Sequence, residues 1–141
     1  MILILNLIAQ YIDSPKIKML DDMRALPQQI NSVFGSSNLN NIISNLSAFI
    51  IRKDISSIFI LGSKSYYPLA KEAALKFKEL TYIHAEGFSA GSLKHGPFAL
   101  LSEKTLTIIF IPANSSNTLL NTYNEIKARN SACLIVTDNE H

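Results

Sequence analysis

The six residues Ser57–Gly62, which read SIFILG, form a short apolar run with β-branched side chains, the pattern of a buried strand. Two further runs have the same character, LTIIFIP at Leu106–Pro112 and ACLIVTD at Ala132–Asp138. Helical patterns at about Tyr67–Tyr82 and Ser115–Asn130 separate the three runs. Apolar strands that alternate with helices predict an α/β fold in which helices flank a parallel sheet.

The residues before the first strand are predicted to be helical. The segment SSNLNNIISNLSAFIIRK carries an apolar stripe at helical spacing, with Ser36 or Ser37 as its N-cap. The first residues, MILILNLIAQYI, are too short to span a bilayer, which takes roughly 20 residues, and we interpret them as a buried helix. This helix starts without a capping residue, and the chain stops directly after its third strand, so we expect truncation at both ends. We divide the chain into a helical segment, residues 1–35, and an α/β domain, residues 36–141.

Composition narrows the functional classes. The length of 141 residues, with 48% hydrophobic residues, is enough for one domain with a sizeable core. The net charge is +2 and the basic residues are scattered, so neither nucleic acid nor a membrane is an expected partner. The single cysteine, Cys133, lies in an apolar run and cannot form an internal disulfide, which predicts a reducing, cytoplasmic location.

The helix predicted at about Tyr67–Tyr82 carries charge beside its apolar face. At about 100° per residue, its apolar side chains form one continuous arc. The members of the arc are Leu69, Ala70, Ala73, Ala74, Phe77 and Leu80. Lys76 falls at the edge of this arc, Glu72 and Glu79 fall just beyond it, and Lys76 and Glu79 are i, i+3 neighbours. Spacing alone allows an ordinary surface ion pair or a carboxylate base oriented by an ammonium group.

Two of the three histidines lie in His84–Pro97, HAEGFSAGSLKHGP. Their separation fits neither a helical zinc motif nor one that contains cysteine, so we predict no metal and no cofactor. We interpret His84 as a structural residue that is hydrogen-bonded to the backbone. The loops that follow the three predicted strands, GSKS, PANSSN and TDNEH, are polar. Parallel sheets bind ligands at this edge, and such loops suit a polar, phosphorylated small molecule.

Four pieces of the sequence, ILGSKSYYP, AALKFKE, YIHAEGFSAGSLKHGP and PFALL, carry a family resemblance. In order and spacing they resemble the second sugar-isomerase (SIS) domain of the glutamine–fructose-6-phosphate aminotransferase, or glucosamine-6-phosphate synthase, family. The match is tightest between Ala74 and Leu101 and extends loosely over nearly the whole chain. The resemblance implies an SIS-type three-layer sandwich. Residues 1–35 are then a helical segment left from the inter-domain or first SIS region, and residues 36–141 form a second SIS domain that is incomplete at its C-terminus.

The family makes glucosamine 6-phosphate from fructose 6-phosphate and glutamine-derived ammonia, and the resemblance implies roles for three residues of this chain. Glu79 is the carboxylate that moves a proton between C1 and C2, and Lys76 assists at the sugar. His95 opens the sugar ring, acting in the site of a partner subunit in a homodimer. Imidazole suits ring opening because it gives and takes a proton near neutral pH. The expected substrate-binding residues, at the family's Gly-Arg-Gly turn, are Gly62, Ser63 and Lys64.

Several parts of the family's enzyme have no match in this chain: the glutaminase domain, the first SIS domain and the C-terminal tail. We therefore expect the isolated chain to be weak or inactive, and whether it is an enzyme alone stays open. The expected partners are a phosphorylated hexose, a second copy, and a separately encoded glutaminase and first SIS domain. Two alternatives remain: a stand-alone SIS module that binds a phosphosugar and regulates another process, and a related SIS deaminase or deglycase. Lys94, directly before His95, favours the synthase over the deaminases.

Overall fold

The computed structural model describes residues 17–112 and 118–137. The helix predicted in MILILNLIAQYI lies outside the described residues, as do most of the loop PANSSN and all of TDNEH after Thr137. The chain divides into two compact units between Leu46 and Ser47. The domain boundary placed at residue 36 from the family resemblance stays a prediction.

The described residues form four helices and four strands. The helices are α1 (Ile17–Phe34), α2 (Ser37–Arg52), α3 (Tyr66–Thr81) and α4 (Thr118–Lys127). The strands are β1 (Ser57–Gly62), β2 (His84–Ser89), β3 (Thr105–Ile111) and β4 (Ala132–Thr137). Two short 3₁₀ turns, Ser92–Lys94 and Pro97–Leu100, lie between β2 and β3. None of the described helices is long and apolar enough to cross a membrane.

Parallel pairing joins the strands in the order β2-β1-β3-β4 and confirms the predicted α/β fold. The prediction of three strands was incomplete, because His84–Ser89 forms a fourth strand at one edge of the sheet. Its sequence, HAEGFS, has charged residues where a central strand needs apolar ones. At an edge, the side chains of His84 and Glu86 can stay exposed to water, so the strand forms without the apolar run that marks the other three.

Successive side chains of β1 point to opposite faces of the sheet and are fully buried on both. Phe59 and Leu61 cluster with Ile126 of α4 on one face, which we call the α4 face. Ile58 and Ile60 point to the opposite face, which α3 covers and which we call the α3 face. The sheet therefore lies between helical layers, as the predicted three-layer architecture requires.

Helix α3 approaches the sheet closely because Gly87 of β2 has no side chain. A Cβ atom on Gly87 would lie 2.7 Å from the carbonyl oxygen of Ala70. The two buried positions of the helix, Ala70 and Ala74, are also small residues, which allows the same close approach. The apolar arc predicted for this helix is buried only in part, because the sheet covers the strip along these two alanines. Leu69 is 47% exposed and Leu80 is 78% exposed.

The connection from β2 to β3, residues 90–104, crosses the α4 face of the sheet. Leu93 and Leu101 anchor it, because both are buried in the cluster that contains Phe59 and Ile126. The connection from β1 to β2 runs through α3 on the other face. Right-handed crossovers require this arrangement, because the two connections run in opposite directions across the sheet. His95, which lies on the second connection, is therefore separated from α3 by the sheet.

Strand β4 forms the other edge of the described sheet. Its Cys133 side chain packs against the cluster on the α4 face and is half-buried. Burial raises the pKa of this thiol to about 11. Further along the strand, Ile135 and Val136 are 38% and 43% exposed.

Substitution of Gly62, at the end of β1, tests the close contact between this strand and the first turn of α3. A Cβ atom there would collide with the carbonyl group of Tyr66 and lie 2.9 Å from the nitrogen of Tyr67. We expect Gly62→Ala to lower the free energy of unfolding by about 1–3 kcal/mol, because the backbone must shift to make room. Gly91→Ala is the matched control, since nothing lies within 4 Å of a Cβ at that position. Urea unfolding of both variants provides the measurement, and equal stabilities would contradict the close contact.

Candidate active site

Lys76 and Glu79 meet on the exposed side of α3. The Lys76 Nζ donates a hydrogen bond to Glu79 Oε2 over 2.7 Å. The Oε1 of Glu72, one turn earlier, lies 3.8 Å from the same nitrogen. The hydrogen bond from Lys76 to Glu79, together with the negative charge of both carboxylates, raises the pKa of Lys76 above its ordinary value. One charged ammonium therefore lies between two carboxylates, as the sequence spacing predicts.

The pair is open to water, because the side chains of Lys76 and Glu79 are 53% and 50% exposed. Ion pairs with this degree of exposure contribute little to folding stability. The fold therefore does not depend on this pair, and the Glu79 carboxylate is accessible to a ligand. A carboxylate with an adjacent ammonium can accept a proton from carbon and stabilise the oxyanion that develops beside it.

An apolar hollow of about 290 Å³ adjoins the pair on the surface of α3. Ala73, Phe77, Leu80 and Thr81 line it together with Lys76. These side chains belong mainly to the part of the apolar arc that the sheet leaves uncovered. Proton transfer at carbon benefits from the exclusion of water. Within residues 17–112 and 118–137, Leu80 stays largely exposed, so a water-free site at this place needs cover from outside them.

Gly62, Ser63 and Lys64 form the turn that leads from β1 into α3. The Ser63 carbonyl accepts a hydrogen bond from the Tyr66 N–H at 2.9 Å, and the Lys64 carbonyl accepts one from the Tyr67 N–H at 3.2 Å. Lys64 adopts a left-handed backbone conformation with φ of 50°. Gly62 is buried, whereas the Lys64 side chain is exposed at the carboxyl edge of the sheet.

This turn and the Lys76–Glu79 pair occupy separate places. A helix rises 1.5 Å per residue, so Lys76 and Glu79 lie about 15 Å and about 20 Å along α3 from Tyr66. The turn is at the carboxyl edge of the sheet, and α3 carries the pair away from it. The structure therefore does not bring the expected substrate-binding residues to the expected catalytic pair, and the substrate-binding role of the turn stays a prediction.

His95 lies on the α4 face, between the two 3₁₀ turns. Its N–H donates to the Ser92 carbonyl at 3.1 Å, and the next residue, Gly96, has a φ of 134° that favours glycine. The imidazole is exposed and has no hydrogen bond to the residues that the structure describes. Because the sheet separates the two faces, His95 and the Lys76–Glu79 pair of the same chain do not form one site.

Two contacts flank His95, one with the last turn of α4 and one with the turn that follows it, and neither is predicted from the sequence. The Lys94 Nζ lies 2.8 Å from Glu125 Oε1, and the Arg129 guanidinium lies over the ring of Phe98, 4.6 Å from its centroid. Lys94 and Glu125 are 31 positions apart in the chain. No local spacing could have revealed the pair, because it depends on how the β2–β3 connection packs beside α4.

His84 makes side-chain contacts in place of the backbone hydrogen bond that we predicted. Its Nδ1 lies 3.3 Å from Ser57 Oγ, and its Nε2 lies 3.6 Å from Glu86 Oε1. The ring also meets Phe59 edge-on, with centroids 6.4 Å apart. The contacts with Ser57 and Phe59 tie β2 to β1 at this end of the sheet. Within the described part of the chain, no group of three His, Cys, Asp or Glu residues could hold a metal ion.

Comparison with known proteins identifies a family match over residues 50–141, to the SIS domain. The chain is 39% identical over 122 residues to a glutamine--fructose-6-phosphate aminotransferase [isomerizing] of Methanosarcina acetivorans. That match covers 86% of this chain and 19% of the relative. The protein of the same name from Bartonella henselae is 36% identical over 121 residues, covering 84% of this chain and 19% of the relative. The chain thus spans about a fifth of the length of these curated relatives.

A solved structure agrees with the sequence matches. The C-terminal domain of glucosamine-fructose-6-phosphate aminotransferase from Francisella tularensis superimposes with a TM-score of 0.71 and 30% sequence identity. The superposition covers 93% of this chain and 37% of that one. The resemblance inferred from ILGSKSYYP, AALKFKE and YIHAEGFSAGSLKHGP is therefore confirmed.

The pKa of Lys76 offers a direct test of the pair's geometry. Because the hydrogen bond to Glu79 is the main cause of the raised pKa, we expect Glu79→Gln to lower the Lys76 pKa towards its ordinary value. Glu72→Gln is the matched control and should lower it less, because Glu72 lies 3.8 Å away. Titration of the lysine side-chain NMR signals provides the measurement. Equal shifts in the two variants would contradict the preference for Glu79.

Proposed function

Because the chain belongs to the SIS domain family, we propose that it is the isomerase part of a glutamine–fructose-6-phosphate aminotransferase. Its substrate is then fructose 6-phosphate, and its product with ammonia is glucosamine 6-phosphate. The observation that carries the proposal is the 2.7 Å pairing of Lys76 with Glu79 on a helix face that the fold itself does not use. The similarity to curated aminotransferases along most of the chain supports the choice of substrate.

The proposed chemistry is a proton transfer between neighbouring carbons. Ammonia first condenses with the C2 carbonyl of the open-chain sugar, with loss of water, to give an imine. Glu79 then removes a proton from C1 and returns it to C2, while the C1 hydroxyl loses its proton and becomes the aldehyde. Lys76 stabilises the negative charge that develops on oxygen during the transfer. A base held on a helix suits this task, because the reacting atoms must stay aligned through both steps.

We propose further that His95 acts in the site of a second copy of the chain and opens the sugar ring there. Within one chain, the sheet lies between His95 and the Lys76–Glu79 pair, so the three residues can share a site only across an interface. A two-fold dimer would give two such sites, each with Glu79 and Lys76 from one copy and His95 from the other. The apolar hollow beside Lys76 would then be covered on assembly.

The remaining proposed partners correspond to the parts of the longer relatives that this chain does not cover. A glutaminase domain to supply ammonia and a first SIS domain to hold the sugar phosphate would come from outside residues 1–141. The turn Gly62–Lys64 stays a candidate contact for a phosphorylated ligand at the carboxyl edge. We assign the protein to the cytoplasm, which agrees with its single cysteine.

A complementation assay tests both the chemistry and the shared site. Glucosamine 6-phosphate formation from fructose 6-phosphate and ammonia is measured with a co-expressed first SIS domain of the family. Glu79→Gln and His95→Gln should each reduce the rate at least about 100-fold. An equal mixture of the two variants, co-expressed, should recover about a quarter of the wild-type rate, because half of the dimers are mixed and each mixed dimer keeps one intact site.

Glu103→Gln serves as the control, because Glu103 is an exposed carboxylate just before β3, away from α3. If the mixture recovers nothing although each variant is folded, the shared site is wrong. If the wild-type chain makes no product although folded, the enzyme proposal fails. Measured binding of fructose 6-phosphate by that inactive chain would then favour the regulatory SIS module, since such a module needs affinity but no turnover.

A further inference from the structure

The β2–β3 connection carries His95 on a short exposed segment between two 3₁₀ turns. Leu93 and Leu101 are buried on either side and fix the ends of the segment. Between them, the N–H of His95 donates to the Ser92 carbonyl and the N–H of Ala99 donates to the Gly96 carbonyl. The imidazole itself makes no hydrogen bond to the described residues. Its position must therefore come from its neighbours in the segment.

Both turns that flank His95 contact residues in or just after the last turn of α4. Lys94, directly before His95, pairs with Glu125 at 2.8 Å, and Phe98, three residues after it, lies under the guanidinium of Arg129. Glu125 lies in the last turn of α4, and Arg129 lies in the turn that follows the helix, where its N–H donates to the Ile126 carbonyl at 3.0 Å. Ile126, between them in sequence, is fully buried beside Leu93 and fixes this part of α4 to the core.

We propose that Glu125 and Arg129 are positioning residues that hold the His95 segment in its working place. The inference rests on the proposed role of His95 in ring opening. Neither Glu125 nor Arg129 needs to touch the sugar, because each acts through a residue that flanks His95.

A charge-reversal cycle on the full chain tests the ion pair. Half-exposed pairs and cation–π contacts are individually weak. We therefore expect Glu125→Lys to speed amide hydrogen exchange at His95 and Ala99 about 2- to 5-fold. The same variant should move and broaden the His95 ring NMR signal, while the His84 signal stays in place. The reversed pair, Lys94→Glu with Glu125→Lys, should restore both readouts.

Two substitutions of Arg129, one of them conservative, test its contact with the Phe98 ring. Arg129→Gln should loosen the segment in the same way, and Arg129→Lys should restore it in part, because a lysine keeps the charge over the Phe98 ring. The matched control is Lys104→Glu, which breaks another exposed ion pair, with Asp54 at 2.7 Å, before β3. This control should leave the exchange at His95 and its ring signal unchanged.

The outcomes separate this inference from the proposed function. If Glu125→Lys leaves exchange and the His95 signal unchanged, or if the reversed pair fails to restore them, the positioning role is wrong. These readouts need no substrate, so they stand even if the complementation assay shows no activity. Conversely, a normal rate for His95→Gln in that assay would refute the catalytic role of His95 without altering the exchange results.

Discussion

The parallel pairing of β1 with β2 on one side and with β3 on the other constrains where each candidate catalytic residue can lie. Parallel neighbours cannot be joined by a tight turn, so each connection must cross a face of the sheet. The connections from β1 to β2 and from β2 to β3 run in opposite directions across the sheet, and their right-handedness sends them over opposite faces. Lys76 and Glu79 lie on the first connection, and His95 lies on the second. The division of the site is therefore a consequence of strand order.

The three apolar strands were the part of the fold that the sequence predicted most directly. SIFILG is apolar at almost every position because β1 is buried on both faces, and such a run has few other interpretations. The edge strand β2 gave no such signal, because His84 and Glu86 remain in water. The apolar arc of α3 likewise did not predict which of its residues are buried. A helical period shows which side chains share a face of the helix. How many of them are buried depends on the sheet, and at Gly87 the sheet covers the helix along only two alanines.

The candidate site shows the same contrast between local and distant contacts. Lys76 and Glu79 are one helical turn apart, so their meeting follows from helix geometry alone. The Gly62–Lys64 turn was expected near them, yet the length of α3 separates the two places. The pairing of Lys94 with Glu125 depends on the path of residues 90–104 across the α4 face, which no spacing rule describes. Sequence thus located the candidate catalytic residues, and only the fold revealed the contacts around them.

The half-buried thiol on β4 has a practical consequence for studying this protein. With its pKa raised to about 11, only about one molecule in ten thousand carries the Cys133 thiolate at neutral pH. Maleimide and iodoacetamide reagents attack the thiolate, so the native thiol reacts very slowly as long as the domain is folded. A second cysteine placed on the exposed surface could therefore carry a fluorophore or a spin label while Cys133 stays in place. Such a label would then report on the domain without any change to its core.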